Sequence, residues 1–261
     1  MEEDEVSEAR LAALCSKLGT LWSGSDLAVI DGAVSNERLQ ECRLTMLGQL
    51  FSNPTINFQA FQSTMKKAWR VDSVNITQED QRTFAFTFKT ELELKRVLEA
   101  GAWSFSNNLV VLKTYIPDVP LPNYEFTHCD FWVQVHGLPL NWTSEESIRR
   151  ITAAARCVSD VRTDPKASPN FSNGKAKVKI DLAAPLKPGT IASQGGRKLW
   201  VDFRYERLPH FCYACGRIGH YAKFCEVKHY DENRLETDEP GCFGLWLRAE
   251  SREWSPLWKS F

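Results

Sequence analysis

One stretch limits what this chain can fold into more than any other. Cys212-Tyr213-Ala214-Cys215-Gly216-Arg217-Ile218-Gly219-His220-Tyr221-Ala222-Lys223-Phe224-Cys225 reads C-x2-C-x4-H-x4-C. Three thiols and one imidazole, Cys212, Cys215, His220 and Cys225, fall within a single short loop. That is the ligand set of a closed, tetrahedral, structural site for one Zn2+ ion. It leaves no open position for a reactive water, which argues against hydrolytic zinc chemistry. Gly216 and Gly219 sit where the chain must turn tightly around the metal, and glycine tolerates those backbone angles. A disulfide between Cys212 and Cys215 would leave Cys225 odd and His220 without a role.

The spacing resembles the zinc knuckle of retroviral nucleocapsid proteins and of many plant proteins. The four ligands and both glycines match. The aromatic after the first Cys is matched by Tyr213 and the apolar residue after the His by Tyr221. The resemblance implies binding of single-stranded nucleic acid, with an unpaired base stacked in a small apolar cleft. Tyr213 and Tyr221 suit that role, because aromatic faces stack on bases with little sequence preference. Equally, the two rings could serve only to cover the metal. Arg217 and Lys223 are placed to neutralise phosphates, with Arg204 and Arg207 in the basic run ahead of them.

Charge distribution says more than net charge, which is −1 over 261 residues. From Arg197 to Lys228 there are seven bases and three acids, and zinc with three thiolates lowers the surplus of four to three. The first ten residues carry five acids and one base. Local basicity at the knuckle between acidic ends is a modest nucleic-acid footprint. No apolar run approaches the roughly 20 residues of a membrane span. The acidic start Met1-Glu2-Glu3-Asp4-Glu5 lacks the layout of a signal peptide, and the other cysteines are scattered. A reducing compartment, nucleus or cytoplasm rather than secretion, is the expectation.

In chain order, Leu11, Leu14 and Leu18 predict an N-terminal helix within 1–33, followed by a loose stretch. Residues 34–116 read βαββαβ. Arg43 to Phe51 is a strand broken by Asn53-Pro54. Phe58, Phe61, Met65 and Trp69 mark a helix capped by Asn57. Val71 to Thr77 is a strand, Gln78 to Gln81 a hairpin turn, and Phe84, Phe86 and Phe88 alternate as a half-buried strand. Thr90 to Glu93 is a capping box opening a helix that ends near Gly101, and Leu109 to Tyr115 is the last strand. The order predicts an α+β, ferredoxin-like or RRM-like sandwich. Residues 117–130 are a stiff Pro-rich linker. In 131–208, Phe131 to Pro139 is a strand and turn, and Thr143 to Glu146 is a capping box. Strands follow at Val158 to Thr163, Lys175 to Leu182 and Leu199 to Tyr205. This second α+β unit reads as a degenerate copy of the first, with Pro185 to Gln194 in place of a helix. The knuckle occupies 209–228, and 229–261 is an acidic linker with a Trp-rich tail.

The segments Phe84 to Phe88, Val97 to Phe105, Leu109 to Lys113, Phe131 to Pro139 and Arg204 to Phe211 are similar to the plant domain of unknown function 4283. That resemblance covers roughly residues 35 to 225. It implies zinc and nucleic-acid binding without an assigned catalytic activity, and descent from the first open reading frame of LINE-type retrotransposons. A short Trp-Leu-Arg motif of the family is matched by Trp246-Leu247-Arg248, a docking segment for a protein partner or a truncated edge.

An RRM stacks RNA on aromatics of its open sheet face, and Arg82 to Phe86 partly resembles the sequence that supplies them. If Phe84, Phe86 and Phe88 faced outward, only Thr83, Ala85 and Thr87 would reach the core. Burying each Phe is worth about 1.5–3 kcal/mol, which favours burial. In the second half Lys175, Lys177 and Lys179, with Gln134 opposite, stand where aromatics would be expected. That strand either touches phosphate or is a plain solvated face. His128, His136 and His229 lack a constellation, and Gly195-Gly196 is a turn with no phosphate-loop motif nearby. His128, Cys129 and Asp130 alternate faces on a strand, which speaks against a thiol nucleophile. The function expected is non-enzymatic binding of single-stranded RNA or DNA with low sequence preference. The rival is a protein-interaction module in which zinc is purely structural.

Overall fold

The computed structural model describes residues 2–19, 28, 30, 32, 35–52, 55–163, 174–227 and 241–259. Most of the loose stretch after the first helix, the Asn53-Pro54 break and the acidic linker lie outside the described residues. Two compact units are present, Met1–Arg38 and Leu39–Phe261. Helix α1 (Glu2–Leu18) forms most of the described part of the first, with Leu11 and Leu14 exposed. Helix α2 (Asn36–Arg43) leads into the second.

The first sheet arises from β1 (Thr45–Leu50), α3 (Phe58–Trp69), β2 (Asn75–Gln78), β3 (Thr83–Thr87), α4 (Glu91–Glu99), β4 (Trp103–Phe105) and β5 (Asn108–Thr114). Its strand order is β2-β3-β1-β5-β4, with neighbours antiparallel. Without the short β4 this is a βαββαβ sandwich. The caps act as the sequence predicts. The Asn57 side chain accepts from the Ala60 N–H, and Thr90 from the Glu93 N–H. Phe84, Phe86 and Phe88 turn inward against α3, with Phe61 stacked on Phe84 at 4.2 Å and Trp69 edge-on to Phe86 at 4.9 Å. Gly48 is forced by this packing, since a Cβ there would lie 2.6 Å from the Phe86 ring. Two readings need correction. The second strand begins at Asn75 rather than Val71, and the last strand is preceded by β4, joined to it through Ser106 and Asn107, both in left-handed conformation.

The second sheet comes from β6 (His128–His136), α5 (Glu145–Thr152), β7 (Val158–Arg162), β8 (Gly174–Asp181), β9 (Gly189–Gln194) and β10 (Arg197–Tyr205). Its order, β7-β8-β6-β10-β9, repeats that of the first sheet strand for strand. It is a second copy in which the second helix is missing. Residues 182–188 take its place, while 189–194, read as part of that replacement, form β9. The N-cap of α5 is Ser144, whose side chain accepts from the Ser147 N–H at 3.0 Å, rather than Thr143.

One apolar cluster joins the two copies. Leu47, Leu109 and Val111, on the face of the first sheet opposite its helices, are buried together with Phe131, Val133, Val135, Ile148, Phe203 and Tyr205. The Pro-rich stretch is therefore part of the packing and not a spacer. Phe126 is buried, Tyr124 stacks between Tyr115 and Phe126, and the Tyr124 hydroxyl bonds both backbone groups of Ile116.

Candidate nucleic-acid interface

Strand β10 delivers the chain directly to the knuckle. Segment 182–188 pins the junction. Both backbone groups of Lys187 bond the Tyr205 hydroxyl, and the Leu186 N–H donates to the Gly216 carbonyl at 2.9 Å. Within the knuckle, Cys212 donates to the Arg217 carbonyl and accepts from the Gly216 N–H, both at 2.8 Å. Gly216 and Gly219 adopt positive φ of 75° and 97°, as the turn requires. They are also closely packed, because a Cβ would meet Phe243 at Gly216 and Phe51 at Gly219. Ile218, between them, is buried in the shared core with Phe211.

The ligand atoms of Cys212, Cys215, His220 and Cys225 all lie within 4.8 Å of one another, and Cys215 Sγ is 3.4 Å from His220 Nε2. A tetrahedron with bonds of about 2.3 Å to sulfur and 2.0 Å to nitrogen separates S and N by about 3.5 Å, so the cluster fits Zn2+. The three thiols are buried. Burial pushes the Cys215 thiol up to about 11. A cation shared among the sulfurs reverses this, because a coordinating thiol is deprotonated outright. Zinc held by Cys212, Cys215, His220 and Cys225 would supply folding free energy and local charge.

Around this cage the predicted contact residues separate. Tyr213 and Tyr221 are 44% and 49% exposed, and Arg217 and Lys223 are exposed as well. Tyr221 is backed by His210, stacked at 4.8 Å and 16°, and His210 Nδ1 meets the Asn107 carbonyl at 2.7 Å. One face of the Tyr221 ring is thus held while the residue stays half open to solvent. Tyr213 leans on Phe211 at 4.9 Å. Arg207 is exposed with its guanidinium 4.1 Å from the Trp103 ring centre. Arg204 is a correction. It is 4% exposed, and its guanidinium donates to the carbonyls of Ser251 and Glu253, so it holds the tail and does not face phosphate. Phe224, 67% exposed under Lys223, was missed by sequence reasoning. The available signal was an aromatic inside the ligand loop.

Among the described residues, neither sheet presents a fully exposed aromatic on the face away from its helices. On the first, Phe84 and Phe86 are fully buried on the helix side, and the open side carries Gln49 bonded to Thr83 and Thr45 bonded to Thr87. On the second, Trp132 lies under Arg162 and Lys175 and donates its indole N–H to the Glu99 carbonyl. Further along, the Trp-rich tail covers that face. Trp258 seats against Gly137 and donates to Asp202 at 2.8 Å, and Trp200 donates to the same carboxylate at 2.7 Å. Arg248 bonds the carbonyls of Leu208 and Pro209. The tail read as a partner-docking segment thus packs on its own chain. Burial and then the Asp130 carboxylate push the Cys129 thiol up to about 12, which disfavours its thiolate.

Residues 38–122 match the family described as a domain of unknown function, DUF4283, and residues 180–227 match a zinc knuckle family. Among curated proteins, Uncharacterized protein At4g02000 of Arabidopsis thaliana is 23% identical over 141 residues, 54% of this chain. The match spans 44% of that relative, less than half of its length. Among solved structures, the N-terminal three RNA binding domains of the yeast splicing factor Prp24 align with 62% of this chain and 66% of theirs, at 10% identity and a TM-score of 0.23. The first two RRM domains of yeast poly(U) binding protein (Pub1) align with 61% of this chain and 98% of theirs, at 13% identity and a TM-score of 0.22.

Proposed function

We propose that this chain, a DUF4283 domain joined to a zinc knuckle, is a non-enzymatic binder of single-stranded RNA or DNA with low sequence preference. The observation that carries it is the knuckle's outer surface. Tyr213, Tyr221 and Phe224 stand exposed around a cage that fits zinc, with Arg217 and Lys223 between them. Zinc acts structurally, and base contact falls to the knuckle because the open sheet faces are occupied by the chain itself. Descent from a retrotransposon reading frame belongs to this reading through the family resemblance alone.

Fluorescence titration with single-stranded oligonucleotides tests it. Each stacking platform is worth about 1–3 kcal/mol, so Tyr213→Ala with Tyr221→Ala should weaken binding by roughly 30-fold or more. Unchanged affinity with zinc still bound would sink the proposal. A protein-docking role for the same surface is favoured by Phe224 and Val227, exposed three residues apart. Salt separates the two, since phosphate contacts weaken steeply as salt rises and an aromatic protein contact does not.

A further inference from the structure

The lysines of the second sheet lie outside the knuckle, and two of them line a groove of about 250 Å³ between the edge of β5 and the outer face of β6 and β8. β4 pairs only with Asn108 to Val110, so Val111 to Thr114 of β5 form a sheet edge there among the described residues. Lys113 comes from that edge, His128, Cys129 and Asp130 from β6, and Lys177 and Lys179 from β8. Three lysines face one carboxylate. Lys177 is engaged, with its ammonium donating to the Leu98 carbonyl at 2.9 Å. Lys175, further along β8, is held by Glu206 at 2.9 Å. The ammonium groups of Lys113 and Lys179 have no ion pair or hydrogen bond among the described residues. Two uncompensated cations in a concave slot focus field on an anion.

The geometry points to a phosphate track: the groove holds the phosphodiester backbone of the same single strand whose unpaired bases the knuckle stacks. This rests on the function proposed above. Strand β5 links the two places. Asn107, at its start, bonds His210 beside the knuckle, and Thr114, at its end, lines the groove. At about 3.4 Å per residue the separation is about 24 Å. A very short strand therefore engages the knuckle alone, and a longer one reaches the groove. Among the described residues no Phe, Tyr or Trp lines the groove, so its contribution is independent of base identity.

The zinc-loaded full chain is titrated by NMR with oligothymidylates of about 3 and about 12 nucleotides at several salt concentrations. For Lys113→Gln with Lys179→Gln, the short strand should bind as before. The long strand should lose about 25-fold at roughly 0.1 M salt, with the slope of log K against log salt shallower by about 1.4. Lys179→Gln alone, at an exposed position, should give about 5-fold, which serves if the double variant misfolds. Lys67→Gln, at an exposed position on α3 outside the groove, should change nothing. An unaltered slope and affinity for the long strand overturns the track. If the tyrosine variant acts on both lengths while the lysine variants do nothing, the knuckle reading stands and the groove fails. The reverse result sinks the knuckle and keeps the groove, and no binding of either strand sinks both. Inorganic pyrophosphate should not displace the long strand at equal concentration; if it does, the groove belongs to a small phosphate ligand and the track is wrong.

Discussion

Ile218 tests whether the knuckle is part of the core or a pendant. It lies inside the ligand loop, yet is 4% exposed and clusters with Phe211, Leu208 and Leu186 beneath the second sheet. Ile218→Ala removes three buried carbons at about 0.8 kcal/mol each, and the residual cavity brings the total to about 3 kcal/mol. With a urea dependence of about 2–3 kcal/mol per molar, the midpoint should fall by about 1 M. The assay is urea unfolding followed by tryptophan fluorescence in excess zinc, with zinc affinity measured in parallel by chelator competition. We expect one cooperative transition, displaced as a whole. An unmoved midpoint with weakened zinc affinity would refute the shared core, because the lost contact would then have served the knuckle alone.

Two further predictions follow from burial. Phe86→Ala should cost about 3–5 kcal/mol while leaving oligonucleotide affinity unchanged where the variant is folded, whereas a stacking role would lower affinity instead. His136 is held down to about 3 by burial and then by the Arg204 charge, against 6.5 when unfolded. The unfolded chain thus takes up the proton first, so stability is full above pH 6.5 and falls by up to about 1.4 kcal/mol per pH unit as pH drops toward 3. Unfolding midpoints measured across that range should flatten in His136→Gln; the same slope in both proteins would remove His136 from the account.

What the sequence disclosed was local. Asn57 and Thr90 cap their helices because a short polar side chain reaches the third N–H within its own turn. The Phe84-Phe86-Phe88 alternation fixes a face by the pleat alone. The ligand spacing of the knuckle needs no distant partner. What stayed hidden depends on residues far apart in the chain. Gly195-Gly196 was legible as a turn, yet the hairpin it closes was not, because Thr190 to Gln194 alternates weakly on an edge strand. Ser106-Asn107 hides a second hairpin whose first strand has only three residues. Arg204 looked like a phosphate ligand because nothing near it in sequence announces that carbonyls 47 and 49 positions later would claim it.

The cover on the second sheet has a consequence in time. Tyr205 ends the last strand, and Trp258, which bonds Asp202 on that sheet, follows 53 residues later in the chain. At roughly 5–20 residues per second, synthesis leaves the sheet without its cover for about 3–10 s. During that interval Asp202 and Arg204 lack the partners that the tail brings, on a nascent chain whose strands are already complete. The part of that face which the tail closes in the finished protein is thus open to chaperones, to misassembly and to passing polyanions while the chain is being made.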